Sequence, residues 1–201
     1  MPFMEKDLKP DPFDQFTVWF SDAKKKMGQE GATAMCLSTL DAQGYPEGRM
    51  VLLKDFDPRG FVFYTNLNST KGRAIVAHPR AGLTFYWQPL ERQVRILGNA
   101  ELVSDEEADR YFHSRPRLSQ LGAWASLQSQ PLKSRFKFMR QVVGVALQYP
   151  TGTIPRPPHW HGFRIKPIKI EFWKAAPNRL HDRFLYEKQS DGLWTITRLY
   201  P

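Results

Sequence analysis

The stretch Pro177-Asn178-Arg179-Leu180-His181-Asp182-Arg183 carries basic side chains at alternate positions. If extended, it sets Arg179, His181 and Arg183 on one face and Leu180 on the other. Three basic groups do not share an unliganded core, so this face meets either solvent or an electron-rich ligand. A second concentration runs from Asp109 to Ser119, where Tyr111 and Arg115 stand four residues apart with Ser119 just beyond the break at Pro116. On one helical face, that set could clamp a phosphate. A third, Ser69-Thr70-Lys71-Gly72-Arg73, opens a helix directly after the strand ending Phe63-Tyr64-Thr65. With Ser69 as cap, exposed backbone N–H groups and two cations, it too suits a phosphate, although ordinary capping with a solvated lysine explains the same residues. Arg49-Met50-Val51-Leu52-Leu53-Lys54 places a cation at each end of an apolar strand. Period-two alternation puts Arg49 with Val51 and Leu53, and Lys54 with Met50 and Leu52, on opposite faces. Long cations at strand ends also snorkel to water.

Other chemistries find no support. No serine, histidine and acid form a hydrolytic triad, and no carboxylate pair stands out for acid–base work. Neither a Gly-x-Gly-x-x-Gly fingerprint nor a phosphate-binding P-loop is present. His159-Trp160-His161 has the i, i+2 spacing of a metal pair, but without cysteine partners it reads as aromatic packing, and no metal is expected. Spacing alone ends at a phosphate-binding β protein.

The elements that must position these residues are legible from periodicity and punctuation. Residues 12–27 read as a helix with Pro12 in its first turn and an apolar stripe of Phe13, Phe16, Trp19, Phe20 and Met27. Strands follow at 33–40, 49–56 and 61–65, joined by turns at Asp41-Ala42-Gln43-Gly44 and Asp57-Pro58-Arg59-Gly60, and read as a meander. A short helix to His78 is stopped by Pro79, and strands at 82–87 and 91–103 come next. Ser104-Asp105-Glu106-Glu107 is a capping box, Pro116 breaks the helix it opens, and another helix spans 131–149. Beyond the proline-rich connector at 150–158, strands at 162–173, 183–187 and 194–199 complete the chain. Strands dominate both halves, so the expected fold is mainly β, an antiparallel barrel with peripheral helices rather than a βαβ winding. It is one domain over 1–201, with a helical segment at 1–30, a helical insertion at 104–150 and C-terminal strands at 160–201.

Composition fits this. The 201 residues are 41% hydrophobic and 24% charged, enough for one substantial core. A formal charge of +9 favours anionic partners: nucleic acid, a membrane surface or phosphorylated small molecules. The cations are dispersed singly among strands and no nucleic-acid motif is present, which favours small anions held at defined points. The one run, Lys24-Lys25-Lys26, closes the first helix, where cations suit the dipole. No apolar run reaches membrane-span length and the start lacks a signal-peptide pattern, so a soluble, cytoplasmic protein is expected. Lone Cys36 excludes an internal disulfide and reads as buried packing.

At these same residues the sequence resembles the pyridoxine (pyridoxamine) 5′-phosphate oxidases, flavoproteins with an FMN-binding split β-barrel. The resemblance runs from about Asp11 to Pro201. It is carried by Arg49 to Lys54, Phe63-Tyr64-Thr65-Asn66, Glu91-Arg92-Gln93-Val94, Tyr111 to Pro116, Gly122-Ala123-Trp124-Ala125-Ser126, Gln128-Ser129, Glu171-Phe172-Trp173 and Arg179 to Arg183. It implies FMN at a homodimer interface, contacted through Arg49, Met50, Val51, Leu52, Tyr64, Thr65, Thr70, Lys71, Gln93, Gln128, Ser129, Trp173 and Arg183. It implies that Lys54, Tyr111, Arg115 and Ser119 grip the substrate phosphate, with Arg179 and His181 over the pyridine ring as the catalytic pair. The implied reaction oxidises pyridoxine or pyridoxamine 5′-phosphate to pyridoxal 5′-phosphate, with O2 as acceptor and H2O2 as product. Two positions depart from the family pattern: Thr70 stands where arginine is usual and His161 where glycine is usual. No match to the family's upstream arginine and tyrosine segment is found before Asp11. A split-barrel flavin oxidase acting on another ring, and a non-catalytic FMN or pyridoxal-phosphate carrier, are the alternative readings.

Overall fold

The computed structural model describes residues 3–201; Met1 and Pro2, part of the start read above as lacking a leader, lie outside them. Helix α1 (Pro12–Thr33) begins where Asp11 accepts a bond from the Phe13 N–H, with proline at its first position. It runs past the expected end at 27, but Gly28 takes φ 75°, a left-handed value that kinks the helix. Lys24 to Lys26 therefore close the straight part, and the Lys24 ammonium lies 5.0 Å from the Phe20 ring centroid.

The strands are β1 (Ala34–Leu40), β2 (Pro46–Leu52), β3 (Asp55–Asp57), β4 (Gly60–Asn66), β5 (Arg80–Trp87), β6 (Arg92–Leu102), β7 (Trp160–Lys174), β8 (Asp182–Lys188) and β9 (Trp194–Arg198). All pair antiparallel in one nine-stranded sheet, as the barrel expectation required. The order β2-β1-β5-β6-β7-β4-β3 corrects the expected meander, because β2 pairs only with β1, and β4 pairs with β3 and β7. The expected strand at 49–56 is accordingly two strands, with buried Leu53 and exposed Lys54 between them. β7 organises the sheet. One edge pairs with β6 from Phe163 to Lys174; the other is shared, residues 160–165 facing β4 and 169–174 facing β8. At the change of partner stands Pro167, which has no N–H to offer a ladder.

The aromatic stripe of α1 packs on this sheet: Phe16 lies 5.0 Å from Phe61 and 5.2 Å from Phe85, and Trp19 lies 5.3 Å from Phe172, all between ring centroids. Cys36 on β1 is half-buried, more accessible than a packing residue would be. The remaining helices are α2 (Thr70–Ala77), α3 (Asp105–Ser114), α4 (Arg117–Ala125) and α5 (Arg135–Gln148). Ser134 caps α5, so the helix expected over 131–149 starts only at Arg135. Helices α3, α4 and α5 close on a second core of Phe112, Leu121, Ala125, Val142, Ile154 and Trp160. This small core forms one wall of the site.

Candidate active site

A cleft of about 510 Å³ opens between the end of β2, β4, the start of α2 and the α3–α5 unit. Met50, Val51, Leu52 and Lys54 line one side, Tyr64, Thr65, Asn66 and Lys71 the floor, and Arg115, Ser119, Gln128 and Trp160 the helical side. Thus Lys54, Lys71 and Arg115, which are far apart in sequence, face one volume. Asn66, Gly122, Ala123, Ser126, Phe138 and Trp160 also line it, none of them an expected contact residue, although all but Phe138 belong to the stretches quoted above.

Lys71 is half-buried, and its ammonium has only neutral oxygens around it: Thr65 Oγ1 at 3.3 Å, Gln128 Oε1 at 3.4 Å and Ser69 Oγ at 3.5 Å. Burial, with the Arg49 charge second, holds its pKa below the ordinary lysine value. No carboxylate is among these partners, so the charge is met by neutral oxygens alone. The Gln128 segment is tied down by the Asn66 amide donating to Ser126 O at 3.3 Å and by the Thr70 N–H donating to Ser129 Oγ at 3.2 Å. Ser129 adopts φ 72° there. Thr70 itself is exposed and does not line the cleft, and the Arg73 guanidinium bonds the Asn68 carbonyl.

A stack of rings joins the floor to the helical side. Tyr64 lies 4.1 Å from Tyr111 and 5.1 Å from Trp160 between centroids, nearly parallel to both. Burial raises the Tyr64 pKa to about 12, so the phenol stays protonated. A Cβ on Gly162 would come within 2.6 Å of the Tyr64 ring, so only glycine lets that ring lie flat on β7. The Arg115 guanidinium sits 4.9 Å from the Trp160 ring centre. Arg115 does not share a helical face with Tyr111. It is the residue before Pro116 and takes extended angles, φ −76° and ψ 149°, because the proline ring disfavours helical backbone at the preceding position. Its Nη1 is buried with no hydrogen-bond partner, and burial lowers its pKa. Trp160, read as aromatic packing, is thus the platform under this cation.

The other expected site residues form a separate group. Gln93, Trp173 and Arg183 lie opposite one another across β6, β7 and β8, and the His181 ring is 4.7 Å from Trp173. Arg183 donates to Glu171 Oε1 at 2.9 Å and to Tyr200 O at 3.0 Å. His181 Nδ1 accepts the Ala176 N–H at 3.2 Å, which leaves the proton of a neutral ring on Nε2. The expected extended run does not form: residues 177–179 make a tight turn, with Asn178 at φ 56° and Arg179 at φ 62°, and the strand starts at Asp182. Arg179 is exposed. None of Gln93, Trp173, Arg179, His181 or Arg183 lines the cleft. Tyr64 faces Gly162 near the start of β7, whereas Trp173 lies eleven residues further on, a strand contour of about 36 Å at about 3.3 Å per residue. Arg49 does not line the cleft either; it bonds Glu47 at 2.6 Å and Thr39 at 2.6 Å. Of the other histidines near the site, His159 contacts Ala123 O at 3.1 Å and His161 contacts Asp105 at 3.3 Å.

An antiparallel nine-stranded sheet flanked by helices, with Lys54, Lys71 and Arg115 lining one cleft, is the architecture of a split-barrel protein. The "Pyridoxamine 5′-phosphate oxidase" family profile matches residues 15–149, and a "Pyridoxine 5′-phosphate oxidase C-terminal dimerisation region" matches residues 160–201. The chain is 53% identical to a pyridoxine/pyridoxamine 5′-phosphate oxidase of Caulobacter vibrioides, over 95% of this chain and 85% of that one. It is likewise 53% identical to one of Myxococcus xanthus, over 96% and 93%. Among solved structures, PhzG from Burkholderia lata, in complex with tetrahydrophenazine-1-carboxylic acid, superposes with a TM-score of 0.91 at 29% identity, covering 100% of this chain and 98% of that one. An FMN-binding protein of Nostoc punctiforme shares the fold, with a TM-score of 0.76 at 17% identity over 96% and 100%. The chain belongs to the pyridoxine/pyridoxamine 5′-phosphate oxidase family.

Proposed function

We propose that this chain binds FMN and oxidises pyridoxine 5′-phosphate and pyridoxamine 5′-phosphate to pyridoxal 5′-phosphate, passing the electrons to O2. The observation that carries this reading is Arg115, a half-buried cation whose buried Nη1 has no protein partner, in the same cleft as a second unneutralised cation, Lys71. Two phosphate-bearing ligands fit two such cations. Lys71, Thr65, Gln128 and Ser129, with the start of α2 and Thr70, would hold the FMN phosphate; Arg49, Met50, Val51, Leu52 and Tyr64 would flank the rest. Lys54, Arg115 and Ser119, with Tyr111 behind Tyr64, would hold the substrate phosphate.

The group around Trp173 supports a homodimer as the working unit. Within one subunit Gln93, Trp173, Arg179, His181 and Arg183 stand apart from the cleft, and most lie in the segment matching a dimerisation region. A two-fold partner would bring its copy of this group over the cleft, giving two equivalent sites. Bound FMN would supply the redox chemistry, taking a hydride from substrate C4′ and yielding H2O2 with O2. The protein's part is to fix the phosphate end of the substrate and so hold C4′ in reach, while Arg179 and His181, through its Nε2–H, orient the pyridine ring. With the amine, hydrolysis of the resulting imine releases ammonia.

A flavin oxidase acting on another ring is the second reading, suggested by the Burkholderia lata structure. The 53% identity to vitamin-phosphate oxidases against 29% to that protein, and the unpartnered Nη1 of Arg115, favour the phosphate substrate. Oxygen consumption with pyridoxine 5′-phosphate and added FMN tests the reaction. Mixing Arg115→Met with His181→Ala subunits tests the shared site. Random assortment makes half the dimers mixed, each with one intact site, so about a quarter of the native rate should return. Sites built within single subunits would recover nothing.

A further inference from the structure

Arg156 lies in the proline-rich connector between α5 and β7, with its side chain only 11% exposed. Its guanidinium bonds two different elements. Nε donates to Asp109 Oδ1 at 2.6 Å and Nη2 to Asp105 Oδ1 at 2.5 Å, both on α3, while Nη1 donates to Trp160 O at 2.9 Å, at the start of β7. Asp105 and Asp109 are four residues apart and so share a helical face. His161 adds a tie, its Nε2 lying 3.3 Å from the same Asp105 oxygen.

These contacts fix a geometry that the site uses. Helix α3 ends at Ser114 with Arg115 as its C-cap, and the ring of Trp160 lies under the Arg115 guanidinium at 4.9 Å. Arg115 has backbone bonds, its N–H to Phe112 O at 3.2 Å and its carbonyl to Gln120 Nε2 at 2.8 Å. Its guanidinium rests on the faces of Trp160 and Phe112, with Nη1 unpartnered. Where that charge sits therefore depends on the placement of Trp160 relative to α3, and Arg156 spans those two elements with one rigid fork.

We infer that Arg156 is a positioning residue for the substrate-phosphate clamp: by locking α3 to Trp160 it holds Arg115 where the phosphate must bind, without touching the ligand. The inference rests on the reading of Arg115 as the phosphate ligand. Its purely structural rival is a clasp that affects stability alone.

The holoenzyme variants Arg156→Gln, Arg156→Lys and Asp109→Asn separate the two, with Arg115→Met as reference. KM and kcat for pyridoxine 5′-phosphate, calorimetric affinity for pyridoxal 5′-phosphate, flavin content and melting temperature are measured for each. Arg156→Gln should raise KM and weaken product binding by about ten-fold, with kcat and flavin content held, because misplaced binding groups cost ground-state and transition-state binding alike. Arg156→Lys should recover part of the loss, since an ammonium can hold a carboxylate but not all three acceptors. If Arg156→Gln does not fold, Asp109→Asn, which leaves two of the three bonds, decides by the same readouts. A lowered melting temperature with unchanged KM and product affinity, while Arg115→Met raises KM, overturns the inference alone. If Arg115→Met leaves KM and product affinity unchanged, the phosphate assignment falls and the inference falls with it.

Discussion

Replacing Arg115 with methionine should weaken phosphate binding while leaving the ligand-free protein almost as stable as before. Two terms of opposite sign act on stability. The variant loses a cation over the Trp160 ring at 4.9 Å, worth about 0.5–2 kcal/mol. It also removes the buried Nη1 that has no partner, and such an unsatisfied donor costs about 1–3 kcal/mol. Methionine keeps an apolar, polarisable contact with the ring, so the net change should fall within about 1 kcal/mol. For a chain of this size, that moves the melting temperature by about 2–4 °C at most. Binding has no such cancellation. A charge-assisted bond to phosphate contributes about 1.5–3 kcal/mol, which corresponds to a rise in KM of about ten- to one-hundred-fold. Thermal melts with and without pyridoxal 5′-phosphate, beside steady-state kinetics, read both effects: the native protein should gain melting temperature with the ligand and the variant should gain little. A variant that melts far lower without ligand yet keeps its KM would show Arg115 to be a structural residue, and the argument from its unpartnered donor would fail.

Lys71 should give FMN binding a distinctive pH dependence. Its pKa is lowered by burial and by Arg49, and the protonated form attracts the phosphate, so FMN affinity falls as pH rises through that lowered value; flavin titrations of apoprotein across the alkaline range should show the slope, and Lys71→Met should weaken binding and abolish it. A slope that persists in Lys71→Met assigns the titration to another group. Gly162→Ala forces a methyl within 2.6 Å of Tyr64 and 2.8 Å of Val103, an overpacking expected to cost about 1–3 kcal/mol in chemical denaturation. Unchanged stability there would mean that the Tyr64 stack yields freely. Thr70→Arg adds a cation at the exposed start of α2 and should tighten FMN by about 1–2 kcal/mol, less at high salt; fluorescence quenching at two salt concentrations checks it, and equal or weaker affinity means that position 70 does not face the phosphate.

The local features of this protein are written in its sequence because local physics decides them. Asp11, Ser69 and Ser104 cap helices where a short polar side chain meets unpaired N–H groups. Period-two alternation and turn residues mark the strands to within a few positions, and the aromatic stripe of α1 faces the sheet as its spacing requires. The density of cations near 69–73 and 109–119 already pointed to phosphates, and the ordered motifs pointed to the family. Local spacing misplaced Arg115, where the proline rule outweighs helical periodicity, and Arg179, where a tight turn replaces the extended run. Pairing lay beyond it altogether. Period two tells which face a side chain takes but not which strand lies alongside, so β2 appeared next to β4 until the long β7 claimed the edge of β4. The same long-range packing made Trp160 a platform, gathered Lys54, Lys71 and Arg115 into one cleft, and left Trp173, His181 and Arg183 at the far end of the strand. Residues separated by tens of positions meet only when the core closes, and their distances depend on how helices and sheet pack, a property carried by no single segment.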